Sequence, residues 1–498
     1  MEKKLLILSI FLECGGVLSS QIGHNSIADN QLRDVRHEIT KDLDAGDFTS
    51  VAVAVAKDGK IVWEEAFGYA NKEKKAKATV NSMYAIASIS KPFTATGIMV
   101  LAQKGLIDLN KPVDDYLGNV KLKVFEGKAS DVTVEKVLRH ISGLPDYAHF
   151  FYENDPWKIP PPDSTIKHYG IVVYPPGEVY QYSNIGYGIL NYIIERTSGK
   201  SYPDFMKTEV FLPLGLKHSS VNIGDGLEEY VTAKYDSNEN PLPFYEFDHP
   251  GGSAVLCSIH DLIRFGMFHL KDHLSDQQQI LKNETIDRMH KLGEAGSPNP
   301  NYMLGWFVQP DDHGYMTISH GGGMPGVASL LTLIPSENIA VAVVFNGGKK
   351  MNTSAITNSI LSSMLPLWAE KVKLEARQGT IDLANFPLPK TVIGEWTGEV
   401  TTFEGTIPVK MVFQDDGDIH VKLADQMETL LNNQKFRKGD ILKGDFWGQI
   451  ITGDSRQPPH YNIRVEMILR GTTLSGYAKA NSSVYYGLPS YIRITKKE

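Results

Sequence analysis

The chain has 498 residues, of which 42% are hydrophobic, 22% charged and 10% aromatic, a composition that excludes disordered, collagen-like and coiled-coil classes. The formal net charge of −8 disfavours nucleic acid as a partner, because binding to phosphates needs clustered Lys and Arg. The two cysteines, Cys14 and Cys257, are too few for a disulfide scaffold or a multi-cysteine metal site.

The N-terminus has the outline of a secretory signal. Residues 1–4 include two lysines, residues 5–12 are almost entirely apolar, and small residues are frequent over 15–20. This order is typical of a cleaved signal, so we predict a signal peptide over residues 1–20 and a secreted or periplasmic protein. The alternative is a buried N-terminal helix. The apolar run is much shorter than the ~20 residues that cross a bilayer, so we expect no stable membrane span.

Two strand hairpins are predicted far apart in the chain. Residues 49–56 and 61–69 flank the dipeptide Asp58-Gly59, which is typical of a type I′ turn. Residues 327–334 and 339–345 form a second pair of apolar runs. We predict that strands from both hairpins pair in one antiparallel sheet.

The segment between the hairpins has a mostly helical pattern. Apolar spacing predicts one helix from near Ser88 to Leu106 and another that begins at Asn184 and ends at Gly199. Residues 141–176 are rich in proline and aromatic residues, which predicts a long irregular loop of the kind that covers a site.

These elements predict an α+β fold over residues 30–378, in which an antiparallel sheet is flanked by helices and carries a mostly helical insertion. The pattern changes after residue 378. Short alternating strands separated by turns predict a small β-barrel or sandwich over residues 390–498. Residues 385–389 have the proline-rich composition of a linker.

The first candidate site element is the segment Ser88-Ile89-Ser90-Lys91. Ser88 lies where the chain enters a helix, and Lys91 follows three residues later, so both side chains project from one face. A lysine amine can take the proton of a serine hydroxyl if burial lowers its pKa from the usual ~10.4 and leaves it neutral. Taken alone, this spacing also occurs at ordinary helix starts.

The second element is Tyr182-Ser183-Asn184, which precedes the second helix. A tyrosine on a loop there can act as a phenolate base or as a proton shuttle. The Asn184 amide can hold both a lysine and a substrate carbonyl group.

The third element is His320-Gly321-Gly322-Gly323, which precedes the strand that begins at Val327. Glycines allow a ligand to approach the backbone closely. The Gly323 N–H, together with that of Ser88, could form a two-donor oxyanion hole. Without the other elements, this segment is an ordinary glycine-rich turn before a hairpin.

In the order Ser-x-x-Lys, Tyr-x-Asn and His-x-Gly, the three elements resemble the serine β-lactamase-like and penicillin-binding superfamily. The branch they look closest to contains class C β-lactamases, DD-peptidases, D-aminopeptidases and family VIII esterases. Supporting segments occur in the family's order at residues 138–145, 213–216, 251–253 and 302–306. The C-terminal segment resembles the small lipocalin-like barrels attached to some members.

The resemblance implies that Ser88 is the acyl-accepting nucleophile and that Lys91 and Tyr182 share the proton transfers. It implies no metal and no organic cofactor.

The resemblance also assigns supporting roles around the reacting carbonyl group. Asn184 would orient the acyl group and the lysine, and the N–H of Gly323 would bind the oxyanion with that of the nucleophile. His320 would hold the electrostatic position opposite the tyrosine, and Tyr147 would line the pocket.

The third motif departs from that of the β-lactamases, which carry Lys-Thr/Ser-Gly where this chain has His320-Gly321-Gly322. Histidine is only partly cationic at neutral pH, so efficient penicillin hydrolysis is not expected. The prediction is a serine hydrolase that cleaves an amide or ester bond of a small peptide or carboxylic ester. Two alternatives stay open: an acyltransferase or transpeptidase that uses the same acyl-enzyme, and a penicillin-binding sensor without turnover. A homo-oligomer is also left open.

Overall fold

The computed structural model describes residues 27–378, 388–437, 440–454, 461–482 and 486–498. The predicted signal peptide over residues 1–20 and most of the predicted linker lie outside these ranges, so both stay predictions. Among the helices of these ranges, none combines the length and the hydrophobicity that a membrane-spanning helix needs.

In the described residues up to 378, the strands are β1 (Ser50–Lys57), β2 (Lys60–Asn71), β3 (Ala76–Lys77), β4 (Met83–Ala85), β5 (Lys123–Val124), β6 (Ala148–Tyr152), β7 (Ile171–Val172), β8 (Ser219–Val221), β9 (Lys234–Tyr235), β10 (Pro241–Leu242), β11 (Tyr245–Phe247), β12 (Val255–Ser258), β13 (Phe307–Asp312), β14 (Tyr315–Met324), β15 (Val327–Ile334) and β16 (Ile339–Phe345). The α-helices are α1 (Ile27–Asp44), α2 (Ser90–Gln103), α3 (Val134–Leu138), α4 (Pro162–Tyr169), α5 (Asn184–Ser198), α6 (Tyr202–Met206), α7 (Pro250–Ser253), α8 (Ile259–Leu270), α9 (Asn283–His290), α10 (Thr353–Met364) and α11 (Pro366–Gln378). The later strands are β17 (Gly394–Thr401), β18 (Thr406–Phe413), β19 (Ile419–Leu423), β20 (Thr429–Leu430), β21 (Asn432–Arg437), β22 (Ile441–Gly448), β23 (Tyr461–Arg470), β24 (Thr473–Asn481) and β25 (Tyr486–Lys496).

A seven-stranded antiparallel sheet forms the centre of the α+β part, in the order β13-β14-β15-β16-β1-β2-β3. The two predicted hairpins meet where β1 pairs with β16, from Val51 opposite Phe345 to Lys57 opposite Ile339. This pairing confirms the prediction that strands from both ends of the segment share one sheet.

Both faces of β1 are buried, and its residues alternate between valine and alanine. The valines belong to an apolar cluster with residues of α1 and α10, and the alanines face a larger core that includes residues of α8. The helix α8 lies close to the sheet at Gly266, where a Cβ would be 3.2 Å from Leu331 and 3.3 Å from Ala340. The sheet is therefore packed between two helical layers.

Two predicted elements differ from the observed ones. The helix predicted from near Ser88 to Leu106 begins with a 3-10 turn over Ala87–Ile89, and α2 ends at Gln103. Gly105 has a φ of +73°, which ends the helix and leaves Leu106 52% exposed. Residues 141–176 are not one irregular loop, because they contain β6, α4 and β7.

Strands β17–β25 form a nearly closed, nine-stranded antiparallel barrel in the order β20-β19-β18-β17-β25-β24-β23-β22-β21. Along β23, Tyr461, Ile463 and Val465 are buried, whereas Arg464 is exposed. This alternation places apolar side chains inside the barrel and charged ones outside. The predicted C-terminal barrel is therefore confirmed.

The barrel shares a β-sheet with the α+β part. β6 pairs with β25 through His149 opposite Tyr486 and Ala148 opposite Gly487, and β11 pairs with β6. The Gly453 N–H of the barrel also donates to the Tyr169 hydroxyl oxygen over 2.7 Å. The two parts of the chain are thus joined by main-chain pairing as well as by side chains.

A buried ion-pair network crosses the same boundary. His149 Nε2 lies 2.7 Å from Asp454 Oδ2 of the barrel, and His149 Nδ1 lies 3.2 Å from Asp248 Oδ2. Burial alone lowers the pKa of His149, but the hydrogen bonds and charges of the two aspartates outweigh it and raise the pKa above 6.5. This environment favours the protonated form of His149, which can pair with an aspartate of each part.

Replacing His149 with glutamine is expected to lower the free energy of unfolding by about 3 kcal/mol below about pH 6, because breaking a buried pair leaves uncompensated charge. A pKa that is higher in the folded state stabilises it fully below the unfolded-state pKa, and this contribution is lost as the pH rises through the folded-state pKa. The stability difference between wild type and variant should therefore shrink at high pH. Urea unfolding at about pH 6 and about pH 9 measures it.

The matched control is His420→Gln. His420 pairs with Glu428 on the exposed barrel surface, so its replacement is expected to change stability by no more than about 0.5 kcal/mol. An effect of His149→Gln that is the same at both pH values would contradict a charged His149.

Candidate active site

The turn that carries Ser88 is held against β14. Ala87 has a φ of +47°, which is uncommon for a residue with a Cβ, and the chain bends sharply there. The Ile86 carbonyl oxygen accepts a hydrogen bond from Ser329 Oγ over 2.8 Å. A Cβ on Gly322 would lie 2.3 Å from the same carbonyl oxygen. Glycine is therefore required at position 322, and the Ser88 turn lies directly beside the His-Gly-Gly segment.

The two serines of the first motif have different environments. Ser88 is partly exposed. Ser90 is buried; its Oγ donates to the Ala87 carbonyl oxygen over 2.7 Å and accepts from the Val255 N–H over 3.0 Å. Ser88 is therefore the hydroxyl that a substrate can reach, and Ser90 fixes the turn.

Lys91 is fully buried in the first turn of α2, and its amine contacts three oxygens. The Nζ atom lies 3.1 Å from Ser88 Oγ, 2.7 Å from Asn184 Oδ1 and 2.9 Å from the Gly252 carbonyl oxygen. Burial lowers the pKa of Lys91 well below its ordinary value, and the negative charge of Asp146 opposes this effect only in part. This environment therefore favours the neutral form of the amine.

This coordination decides what the neutral amine of Lys91 can do. A neutral amine has two N–H groups and one lone pair. The oxygens of Asn184 and Gly252 can only accept, so they occupy both N–H groups. The lone pair is left to accept the proton of the Ser88 hydroxyl, which is the arrangement of a general base and its nucleophile.

Asn184 is oriented by the main chain of Tyr147. Its Nδ2 donates to the Tyr147 carbonyl oxygen over 2.8 Å, which turns Oδ1 towards Lys91. The Tyr147 side chain does not line the pocket as the resemblance implied, because it is 0% exposed and its hydroxyl donates to the buried Asp248. Tyr147 therefore positions the asparagine rather than touching a substrate.

Tyr182 lies in the segment that leads into α5, where Ser183 caps the helix and donates its own N–H to His140 Nδ1 over 3.1 Å. The Lys91 Nζ is 4.6 Å from the centroid of the Tyr182 ring. Burial raises the pKa of Tyr182, and a hydrogen bond with Ser88 opposes this only in part. The group is a neutral phenol, which favours a proton shuttle over the phenolate base that the sequence left open.

His320 lies beside the site but carries no charge. It is 1% exposed, its Nδ1 lies 2.7 Å from the Gly321 carbonyl oxygen, and its Nε2 lies 3.1 Å from the Tyr302 hydroxyl oxygen. Burial lowers the pKa of His320 to about 3. The implied electrostatic role is therefore not supported: a neutral imidazole is hydrogen-bonded to Tyr302.

The residues from His320 onwards form a strand edge at the site. In the described part of the chain, β13 pairs with β14 no further than Phe307 opposite Ser319, so His320–Met324 pairs only with β15. A Cβ placed on Gly323 would have no atom within 4 Å. Open space at Gly323 agrees with its predicted role as an oxyanion donor, and an unpaired edge can bind an extended substrate.

Sequence reasoning gave no role to the Gly252 carbonyl group, although it is a direct partner of Lys91. Gly251 and Gly252 lie in α7, where a Cβ on Gly251 would be 2.6 Å from the Tyr187 carbonyl oxygen. The sequence feature that could have indicated this role is the Gly251-Gly252 pair, because glycines without a Cβ allow other groups to approach the backbone closely. Tyr302, the partner of His320, was noted only as part of a supporting segment.

Other reactive groups lie apart from this constellation. Cys257 is buried, and burial raises the pKa of its thiol well above the ordinary value. Within the described ranges, no group of three or more His, Cys, Asp or Glu side chains is placed to hold a metal ion.

Known proteins share this organisation. The beta-lactamase family model matches residues 35–361. Penicillin-binding protein 4* of Bacillus subtilis (strain 168) is 31% identical over 300 residues, which cover 56% of this chain and 64% of that protein. The octameric penicillin-binding protein homologue from Pyrococcus abyssi is 22% identical with a TM-score of 0.57, over 93% of this chain and 100% of the other. A class C beta-lactamase is 18% identical with a TM-score of 0.56, over 69% and 98%.

The fold and the site define a protein built like the β-lactamases and penicillin-binding proteins, with serine, lysine and tyrosine side chains brought together. Because the family model covers more than half of the sequence, the chain belongs to the beta-lactamase family. The match spans less than two thirds of the Bacillus relative. The Pyrococcus structure extends the likeness of fold across the C-terminal barrel.

Proposed function

We propose that this protein is a serine hydrolase that cleaves an amide or ester bond through an acyl-enzyme on Ser88. The observation that carries the proposal is the coordination of Lys91. Its Nζ atom contacts Ser88 Oγ and two carbonyl oxygens that can only accept, so in the neutral form its two N–H groups are used by the carbonyl oxygens and its lone pair is left for the Ser88 hydroxyl. A buried lysine with a lowered pKa beside a serine hydroxyl is typical of a general base.

Acylation begins when Lys91 takes the Ser88 proton and Oγ attacks the substrate carbonyl carbon. The N–H groups of Ser88 and Gly323 stabilise the negative charge that develops on the carbonyl oxygen. As the tetrahedral intermediate collapses, the C–N or C–O bond breaks. The proton held by Lys91 passes through the neutral phenol of Tyr182 to the leaving amine or alkoxide.

Deacylation repeats these transfers with water. A water molecule attacks the ester carbonyl carbon of the acyl-enzyme and gives a proton through Tyr182 to Lys91. The Ser88 oxygen leaves and takes this proton back, and a carboxylic acid is released. An amine or alcohol in place of water would give acyl transfer by the same steps.

Penicillins are expected to be poor substrates. The neutral His320 supplies no positive charge at the third motif, and Gly321 supplies no hydroxyl group. A substrate carboxylate therefore lacks the partners that this segment offers in β-lactamases.

The test is burst kinetics with p-nitrophenyl esters and with p-nitroanilides of D- and L-amino acids, each in the presence and absence of a competing amine. Continuous release after the burst supports hydrolysis, and an amide product formed from the added amine supports acyl transfer. A stoichiometric burst without turnover would support the sensor alternative. Absence of any release, together with absence of fluorophosphonate labelling, would contradict the proposal.

A further inference from the structure

A charged cleft of about 590 Å³ lies between Tyr182 and the outer face of the barrel. Strands β21–β24 contribute most of its lining, including five cationic and two acidic side chains, and the α+β part adds Asp146. The cationic side chains are Lys435, Arg437, Lys443, Arg464 and Lys479.

Two of these cations are already neutralised. Lys443 Nζ lies 2.7 Å from Glu466 Oε2, and Lys479 is paired with Asp146 across the boundary between the two parts of the chain. This ion pair connects the barrel side of the cleft to its α+β side.

Lys435 and Arg464 have no ion-pair partner among the described residues, although Asp445 is near in the sheet. Asp445 lies directly opposite Arg464 across the strands. Its two carboxylate oxygens instead accept hydrogen bonds from Asn433 Nδ2 over 2.8 Å and from Asn462 Nδ2 over 2.9 Å. The cleft therefore holds an excess of positive charge.

The strand register places cationic side chains directly opposite one another. Lys435 is directly opposite Lys443, and Arg464 is directly opposite Lys479. Like charges in such cross-strand pairs repel and destabilise a sheet. Lys443 and Lys479 are each offset by a carboxylate, so the positive charges left for a bound anion are those of Lys435 and Arg464, on the same outer face and next to the proposed active site.

The position of Tyr182 indicates which part of the substrate enters the cleft. Under the proposed function, on which this inference rests, Tyr182 delivers the proton to the leaving group, so the leaving group departs on the Tyr182 side. We propose that the barrel binds a carboxylate carried by the leaving group, with Arg464 and Lys435 as its partners. The substrates are then amides or esters whose amine or alcohol portion is acidic, and the barrel is a determinant of specificity.

The experiment compares three chromogenic esters: 4-nitrophenyl butyrate, 3-carboxy-4-nitrophenyl butyrate and mono-4-nitrophenyl glutarate. The second carries the carboxylate on the leaving group, and the third carries it on the acyl group. For Arg464→Ala, kcat/KM is expected to fall about tenfold on the leaving-group carboxylate alone, because a charge-assisted hydrogen bond is lost. The loss should lie mainly in KM, since the contact exists before the transition state. Lys435→Ala should act in the same direction, and Arg464→Lys should retain part of the preference.

The matched control is Lys422→Ala, because Lys422 is an exposed lysine of β19 that does not line the cleft. It should leave all three rates unchanged. An equal effect of Arg464→Ala on all three esters, or no effect, overturns the carboxylate site while the hydrolase stands. A selective loss on the glutarate ester overturns the leaving-group assignment. A protein that hydrolyses none of these esters and none of the p-nitroanilides, and that takes no fluorophosphonate label, contradicts the proposed function and this site together.

Discussion

Replacement of Ser88 by alanine is expected to reduce kcat for 4-nitrophenyl esters by about 10⁵-fold and to abolish labelling by a fluorophosphonate. The reason is that Ser88 is the hydroxyl in contact with the Lys91 amine, and alanine offers no atom that can carry the acyl group. The fold should be unaffected, because the side chain is small and partly exposed. Steady-state rates, intact-protein mass after labelling and the thermal unfolding midpoint measure these outcomes.

Ser90→Ala provides the matched control in the same motif. Its Oγ bridges the Ala87 carbonyl oxygen and the Val255 N–H, so its loss should cost about 1–2 kcal/mol of stability and preserve labelling. Labelling that persists in Ser88→Ala and disappears in Ser90→Ala would show that the wrong serine has been assigned.

The second large effect is expected from Lys91. Lys91→Met keeps the length of the side chain and removes the base, and kcat/KM should fall by about 10³-fold or more. Lys91→Arg should fail to a similar extent, because an arginine remains protonated and offers no lone pair. If the role of Lys91 were to supply positive charge, Lys91→Arg would instead keep most of the activity.

The pH profile gives an independent readout of the same base. Lys91 must be neutral to act, so activity should fall as the pH drops through its pKa. Because burial lowers that pKa well below its ordinary value, this acid limb should lie far below about pH 10, and the enzyme should be active at neutral pH. Tyr182 must stay protonated as a shuttle, and its raised pKa predicts no alkaline loss from this group near neutral pH. An acid limb near the pKa of an unperturbed lysine would contradict the neutral amine.

The parts of this structure that follow from local pattern could be predicted from the sequence. The apolar run over residues 49–56 predicts the strand that is found as β1, and a left-handed Gly199 ends α5 as its position suggests. The offset of three residues between Ser88 and Lys91 places both on one helical face. These features depend on neighbours in the chain, so the sequence shows them directly.

The features of the site that depend on burial and on long-range contacts could not be predicted from the sequence. The sequence places Tyr147 near the site, but only packing decides that its carbonyl group faces Asn184 while its ring is buried. His320 was expected to carry part of a positive charge, and its complete enclosure removes that charge. The Gly252 carbonyl oxygen belongs to the backbone, and the pattern of side chains in the sequence does not predict the direction of a backbone carbonyl group.

The pairing of β6 with β25 determines where this protein can be divided. A truncation that ended with the region matched by the family model would expose one edge of β6 and remove Asp454, one of the two aspartates that pair with His149. Open strand edges invite association between chains. The α+β part and the barrel are therefore expected to fold as one unit, so a hybrid of two relatives is expected to keep this fold only if both parts come from the same relative.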